Sequence, residues 1–248
     1  MSLYAKAQAA AAQVQVKEED RLGGSFTVPT DVYMGGVKMA YIDAWKSGAL
    51  FIGLELAMLV DGKERTHKEI ITISNKEGAF TYTDKKTGDA VPMPGYVMID
   101  GLFKAASGKG FLEQTPTVKG VKMYCSDAKA EVVKEREVFM DVIGKRVHLA
   151  ITEQEVDKTA KDPVSGDYKP TGETRKENVL SKVFDGETKQ TTGEKAAGKP
   201  AEFCDKWVAQ YQGKLSNRAK GVKGAAAAGA TAGAPAQSTP AASLFPGA

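Results

Sequence analysis

Apolar and polar residues alternate along most of the chain, a pattern typical of half-buried β-strands. The clearest case is Leu50–Val60, and one face of it carries Ile52, Leu54, Leu56, Met58 and Val60. The dipeptide Asp61–Gly62 follows, which favours a two-residue hairpin turn. Apolar alternation then returns over residues 65–74. These segments predict two antiparallel strands with one buried face.

Further strands are predicted on either side of this pair. Residues 32–45 form a strand candidate with Gly35 and Gly36 inside it, and a glycine pair in a strand indicates a bulge or a tight barrel corner. A second hairpin includes Phe80 and Tyr82, with its turn near residues 85–88. Residues 118–125 are predicted as a short strand.

The longest strand pair is predicted over residues 136–156 and 168–190. In both segments apolar residues alternate with Lys and Arg, and aromatic residues lie among the basic ones. One face of such a pair can pack on a core, while the other face presents cations and aromatic rings. This combination suits an extended polyanion with exposed bases, which is single-stranded nucleic acid.

Two helices are predicted between and after the strands. Residues 96–106 have helical spacing and end at Gly108 and Gly110, between the third and fourth strands. Residues 201–215 form a short amphipathic pattern. With its short strands, internal glycines and few helices, the chain is predicted to be mainly β, as a five-stranded OB-like Greek-key barrel with one or two helices.

Composition divides the chain into three parts. Residues 1–24 are rich in Ala and Gln and are predicted to be a flexible arm. Residues 25–220 have the composition of one folded domain. Residues 221–248 contain mostly Ala, Gly, Pro, Ser and Thr and bury too little apolar surface to fold, so a disordered tail is predicted. The sequence contains no run of eighteen apolar residues, so no transmembrane helix is predicted.

The net charge and the absence of known catalytic motifs limit the functions that the sequence supports. The formal net charge is only +3, so a basic surface requires an uneven distribution of charge. Cys125 and Cys204 lie far apart and the only histidines are His67 and His148, which argues against a zinc site and favours reduced thiols in a cytosolic compartment. The patterns GxxxxGK[ST], GxSxG and HExxH are absent from the sequence. We therefore expect no enzyme, no metal and no cofactor.

The candidate DNA-binding residues combine aromatic platforms with cations. They are Lys38, Tyr41, Trp45, Tyr82, Lys85, Lys86, Phe139, Lys145, Arg146, Tyr168, Lys169, Arg175, Lys176 and Lys182, and a wider set adds Tyr33, Arg136 and Phe184. Bases are predicted to stack on Tyr82, Tyr168 and Trp45. Phosphates are predicted to follow the adjacent cations Lys145–Arg146 and Arg175–Lys176. The alternative is that Trp45, Phe139 and Phe184 are core residues and that the cations only confer solubility.

The stretch VLSKVFDGETKQTTGEKAAGKPAEFCDKWV follows RVHLAITEQEV and a loop rich in Pro and Gly. Over roughly residues 26–215 the chain resembles the single-stranded-DNA-binding proteins of tailed phages, and it is most similar to the replication-type binders of podovirus-like phages. The resemblance implies an OB-type barrel that uses no cofactor. It also implies a protein that coats exposed template during replication and recombination.

The same resemblance implies a flexible tail whose terminal apolar residues contact partner replication enzymes. Leu244 and Phe245 are the candidates for that contact. The chain departs from the family pattern here, because such tails are normally acidic and residues 224–248 contain no Asp or Glu. An acidic tail can occupy the DNA groove electrostatically, and this neutral tail cannot.

These observations predict a protein that binds single-stranded DNA without sequence preference in the cytoplasm of an infected host cell, with no membrane association. Three alternatives remain open. They are a virion structural or decoration protein, a strand-annealing protein, and an enzyme with a nuclease-like carboxylate site.

Overall fold

The computed structural model describes residues 27–125, 129–163 and 165–220. The strands are β1 (Asp31–Ala44), β2 (Leu50–Val60), β3 (Lys63–Thr72), β4 (Thr81–Thr83), β5 (Ala90–Pro92), β6 (Thr117–Cys125), β7 (Ala130–Val138), β8 (Arg146–Lys161), β9 (Tyr168–Asp185) and β10 (Ser216–Asn217). The helices are α1 (Pro94–Ser107), α2 (Thr192–Ala196) and α3 (Glu202–Tyr211). Single 3-10 turns lie at Phe111–Glu113 and Met140–Val142.

The prediction of a mainly β protein is confirmed, and most strands belong to one large sheet of eight strands. β1 lies at its centre. Its first half pairs with β8, its second half pairs with β2, and Tyr41 and Ile42 also pair with β7. β2 continues to β3 and β8 continues to β9, all antiparallel, whereas the short β10 runs parallel to β8.

The sheet is not a closed barrel. Among the described residues, β3 and β9 form no backbone ladder with each other. Instead the Glu69 carboxylate of β3 accepts a hydrogen bond of 2.8 Å from the backbone N–H of Leu180 in β9. The same carboxylate lies 2.8 Å from His67 Nε2. In a closed sheet, a backbone carbonyl of the neighbouring strand would accept this hydrogen bond. Here the side chain of Glu69 accepts it instead.

The core forms on the inner face of the sheet, where the alternation predicted it. The five inward residues of β2 are all buried, which confirms that strand and its facing. Helix α1 covers this face with Ile99, Leu102 and Phe103. Each such side chain contributes roughly 1.5–3 kcal/mol when it is fully buried. The helix begins with Pro94 in its first turn and ends at Gly108, whose φ of 79° suits glycine.

The glycine pair of β1 has a different role from the one predicted. The register shift lies later, between Val37 and Met39. Gly35 and Gly36 instead allow neighbouring chain segments to approach closely. A Cβ atom at Gly35 would lie 2.3 Å from the carbonyl oxygen of Ala57, and one at Gly36 would lie 3.1 Å from that of Lys145.

The predicted strand over residues 136–156 is wrong in its first part. The chain forms β7 up to Val138, breaks at the 3-10 turn Met140–Val142, and begins β8 only at Arg146. Sequence analysis also missed β7 as a strand. β7 pairs with β6 over its whole length, and we call the two strands, residues 117–125 and 130–138, the β6–β7 hairpin.

Helix α3 packs on the outer face of the sheet. Cys204 and Trp207 lie against Ala150 of β8 and Phe184 of β9. Burial raises the pKa of the Cys204 thiol. Among the described residues this second cluster covers only the β8 side of the outer face, so the β2–β3 side is free of helices.

Asp185 fixes the chain between β9 and α2. Its carboxylate accepts hydrogen bonds from Lys195 Nζ and from the backbone N–H groups of Glu187 and Thr188. Burial by itself would raise the pKa of Asp185, but these donors outweigh it and hold the pKa well below its usual value. The predictions for the N-terminal arm (1–24), for the tail (221–248) and for Leu244 and Phe245 lie outside the described residues.

Candidate nucleic-acid interface

A groove lies on the outer face of β1, β2 and β3, opposite the core. It has a volume of about 420 Å³. Strand alternation turns Tyr41, Phe51 and Ile70 outward to form its floor, because their neighbours in sequence point into the core. Val121 and Met123 of the β6–β7 hairpin form a wall. We call this feature the outer groove.

Tyr41 lies flat on the floor of the outer groove because its cross-strand partner is Gly53. A Cβ atom at Gly53 would lie 2.2 Å from Cζ of the Tyr41 ring, so only glycine leaves room for the ring in this position. Burial raises the pKa of the Tyr41 phenol and Asp43 raises it further, while Arg136 opposes both. The ring therefore stays uncharged at neutral pH.

Trp45 adds a second ring at the end of β1. Its indole Nε1 donates a hydrogen bond of 3.0 Å to Oγ1 of Thr72. Its ring centroid lies 4.5 Å from that of Phe51, and the side chain keeps 43% of its surface exposed. The ring is thus held on one side by Phe51 and Thr72 and is open to solvent on the other, which is the geometry of a stacking platform.

Lysines accompany the rings on the same face. Lys38 Nζ lies 3.3 Å from Glu64 and 3.9 Å from Glu55, and Lys68 Nζ lies 3.4 Å from the other oxygen of Glu55. Lys122 lies at the edge of the outer groove, but it is the cross-strand partner of Val133, so its side chain is on the solvent-facing side of the β6–β7 hairpin. Exposed ion pairs of this kind contribute about 0–1 kcal/mol in water, so these lysines exchange a carboxylate for a phosphate at little cost.

The β6–β7 hairpin is anchored at its base. Arg136 Nε lies 2.7 Å from the Asp43 carboxylate of β1. Farther along, Val121 is only 5% exposed and faces the body of the protein, whereas Val133 on the other face is 64% exposed. The hairpin therefore crosses the outer face with one side packed and the other side in solvent.

Of the predicted binding residues, Tyr41 lines the outer groove, and Lys38 and Trp45 lie at its two ends, in contact with Glu55 and Phe51 respectively. A second group lies on the small β4–β5 hairpin. There Tyr82 is exposed on β4, and Lys85 and Lys86 lie in its turn. A third group, Tyr168 and Lys169, lies at the outer end of the β8–β9 pair, where Lys169 forms an ion pair with Asp162.

The adjacent cations do not act as pairs, because the two members of each pair have different neighbours. Arg146 borders a hollow with Met34 and Leu59, whereas Lys145 borders another hollow with Ser107 and Asp141. Arg175 and Lys176 are divided in the same way. Arg175 lies 2.8 Å from Glu177, and Lys176 lies 3.3 Å from Glu153.

Two predicted aromatic contacts are corrected by burial. Phe139 is 3% exposed and packs on Phe103 and Phe111, so its ring belongs to the core and cannot stack on a base. Phe184 is fully buried beneath α3. Lys182 is not in the outer groove either, because its Nζ lies over the ring of Phe203 at 5.8 Å.

Sequence analysis missed Phe51, Ile70, Val121 and Met123 as residues of the outer groove. Phe51 and Ile70 occupy the second face of strands that were interpreted only through their inward residues. An apolar residue at an outward position was the available signal. For Val121 and Met123 no such signal exists, because nothing local in β6 indicates which strands the hairpin crosses.

The comparisons with known proteins identify no relative. No family model, curated protein or solved structure matches the chain. Within residues 27–125, 129–163 and 165–220, no group of His, Cys, Asp or Glu side chains is arranged to hold a metal ion. In the same ranges no helix has the length and hydropathy needed to cross a membrane.

Proposed function

We propose that the protein binds single-stranded DNA without sequence preference, with the bases in the outer groove. The observation that carries this proposal is the coexistence of aromatic rings and lysines on one sheet face. The half-buried Tyr41 and the exposed Trp45 offer stacking surfaces, and Lys38 and Lys68 lie on the same face, where both contact Glu55. Phe139 has no part in this site.

The strand order supports the proposal. β1, β2 and β3 follow one another, β8 returns beside β1, and β9 lies between β8 and the Glu69 contact of β3. Helix α1 lies between the third and fourth strands of this path, with the β6–β7 hairpin as an addition. We interpret the path as a partly open OB barrel, in which the face of the second and third strands binds oligonucleotides. The outer groove occupies that face.

The energetics fit binding without base readout. Stacking on an aromatic side chain contributes about 1–3 kcal/mol per base, and every base has a face to stack. Phosphate contacts add a salt-dependent contribution that does not depend on sequence. Coating of exposed strands during phage DNA replication and recombination, in the cytoplasm of an infected cell and without catalysis, is the role we assign to this activity.

The test is the fluorescence anisotropy of a labelled oligo-dT at several salt concentrations. We expect binding at low salt that weakens steeply as salt rises. The double variant Lys38→Gln, Lys68→Gln removes the two lysines that contact Glu55 of the outer groove and should reduce the slope of log K against log salt by about 1.4, since each phosphate contact to a single strand contributes about 0.7.

The matched control is Lys206→Gln. Lys206 is an exposed lysine of α3 that forms an ion pair with Glu202 at 2.7 Å, so it has the same chemistry outside the outer groove. Its salt slope should equal that of the wild-type protein. An unchanged anisotropy of oligo-dT at low salt would refute the function itself. Cleavage of the labelled strand on addition of magnesium would favour the nuclease alternative instead.

A further inference from the structure

The β6–β7 hairpin is an addition to the sheet and not a part of its framework. β7 pairs with β1 only at Tyr41 and Ile42, and among the described strands β6 pairs only with β7. Beyond this short junction the hairpin continues without a third strand beside it. It nevertheless reaches across β1 and β2, because Val121 and Met123 line the same groove as Ile70 of β3.

This position places a wall along one side of the floor, with Val121 packed against the body of the protein. Lys68 and Glu55 lie at the rim of the same groove, and the Lys68 side chain stays 71% exposed. The space beside the wall is about 420 Å³, which is the scale of a site for one small ligand. Separate bases on a flexible strand fit into such a space. A double helix is a wide, stiff rod with its bases stacked inside, so beside a projecting hairpin it can meet a lysine at the rim but cannot lie across the floor.

We propose that the β6–β7 hairpin excludes duplex DNA from the outer groove and thereby sets the preference for single strands. The inference rests on the proposed function, since it concerns the same groove. This proposal differs from one in which base stacking alone causes the preference for single strands. If stacking were the only cause, the lysines would bind duplex phosphates electrostatically with or without the hairpin, and removing the hairpin would not change the ratio of single-strand to duplex affinity.

The pairing register of the hairpin provides a charge-neutral way to remove the wall. Lys119 is the cross-strand partner of Arg136, so residues 120–135 can be replaced by Asn-Gly, which forms a two-residue hairpin loop. The removed segment contains three lysines, one aspartate and two glutamates, and the net charge therefore stays the same. The contact between Arg136 and Asp43 at the base is kept.

The experiment measures the affinities of a labelled oligo-dT and of a labelled hairpin-free duplex at one salt concentration. For the shortened protein we expect duplex affinity to rise at least tenfold, with oligo-dT affinity within about threefold of wild type. An unchanged ratio of the two affinities overturns the inference while the proposed function stands. Failure of the wild-type protein to bind oligo-dT refutes the proposed function itself.

A pair of point variants tests the same idea if the shortened chain does not fold. Val121→Asp places a charge at a position that is 5% exposed and favours detachment of the hairpin from the floor. Val133→Asp makes the same chemical change on the solvent-facing side of the hairpin, where the side chain is 64% exposed. We expect Val121→Asp to raise duplex affinity at least threefold and Val133→Asp to leave it unchanged. Equal duplex affinities for the two variants overturn the inference.

Discussion

Replacing Trp45 with alanine removes the exposed ring that packs on Phe51 at the end of the outer groove. One side of the indole packs on Phe51 at a centroid distance of 4.5 Å, so only one side is open for a base. Stacking contributes about 1–3 kcal/mol per base, and with one open side we expect a loss of about 1–2 kcal/mol. This corresponds to a five- to thirtyfold weaker affinity for oligo-dT, since about 1.4 kcal/mol is a factor of ten.

Intrinsic fluorescence tests this prediction at the residue itself. The chain contains two tryptophans, and Trp207 of α3 is only 7% exposed because it packs on the sheet. Stacking of a base on Trp45 should quench its emission, whereas Trp207 should not respond. We therefore expect oligo-dT to quench the wild-type protein and the Trp207→Phe variant, and to leave the emission of Trp45→Phe unchanged.

Trp45→Ala also loses the hydrogen bond to Thr72, which contributes about 1 kcal/mol to stability. Thermal unfolding must therefore show that the variant is folded at the assay temperature. Quenching of wild-type size in Trp45→Phe would refute the stacking argument. Wild-type affinity for oligo-dT in a folded Trp45→Ala protein would refute it as well.

Three further predictions concern the floor, the core and the pH dependence. Gly53→Ala should displace the Tyr41 ring and lower oligo-dT affinity severalfold. The loss of stability should be only about 1 kcal/mol, because the tip of the Tyr41 ring can move away from the added methyl group. Unchanged affinity in an anisotropy titration would contradict this prediction. Phe139→Ala should lower the free energy of unfolding by about 3–5 kcal/mol, because the ring is buried in the core. The Phe139→Leu protein, if folded, should bind oligo-dT with wild-type affinity. A folded Phe139→Leu protein that binds oligo-dT weakly would show that Phe139 belongs to the binding site. Because the pKa of Asp185 is lower in the folded protein than its unfolded value of about 3.9, its carboxylate stabilises the fold above that pH, and this contribution is lost as the pH falls through the folded pKa. Asp185→Asn should therefore cost about 1–2 kcal/mol at pH 7, because its Lys195 partner is largely exposed and the pair is screened by solvent. It should also flatten the pH dependence of the unfolding free energy below pH 4, as measured by urea denaturation, and a slope equal to that of wild type would disprove this.

The sequence pattern predicted the strands of three hairpins and their pairing, but not how these hairpins join into one sheet. Leu50–Val60 and its turn were found because burial of one face leaves a period of two in the sequence. The same rule, applied to both faces, would have separated Arg175 from Lys176, which are successive residues of β9. Their adjacency in sequence was interpreted as adjacency on a surface, whereas successive residues of a strand point to opposite faces.

The candidate site was only partly accessible to sequence analysis. Trp45 and Tyr41 were chosen as rings among lysines, and they do lie on one face. Phe139 was chosen for the same reason and is buried, because the 3-10 turn after it directs the chain into the core. Whether a ring faces water depends on what packs above it, and that information is distributed over distant parts of the chain.

The sequence by itself determined the secondary structure of the core, since the period of two, the turn Asp61–Gly62 and the helix ending at Gly108 follow from local rules of burial and backbone geometry. The tertiary structure alone decided that the sheet stays open at Glu69 and that the β6–β7 hairpin crosses the outer face. Both features depend on contacts between residues far apart in the chain, such as Glu69 with Leu180 and Arg136 with Asp43. Such contacts cannot be recognised from the sequence, because each one joins a single pair of distant residues and produces no repeated pattern of residue types.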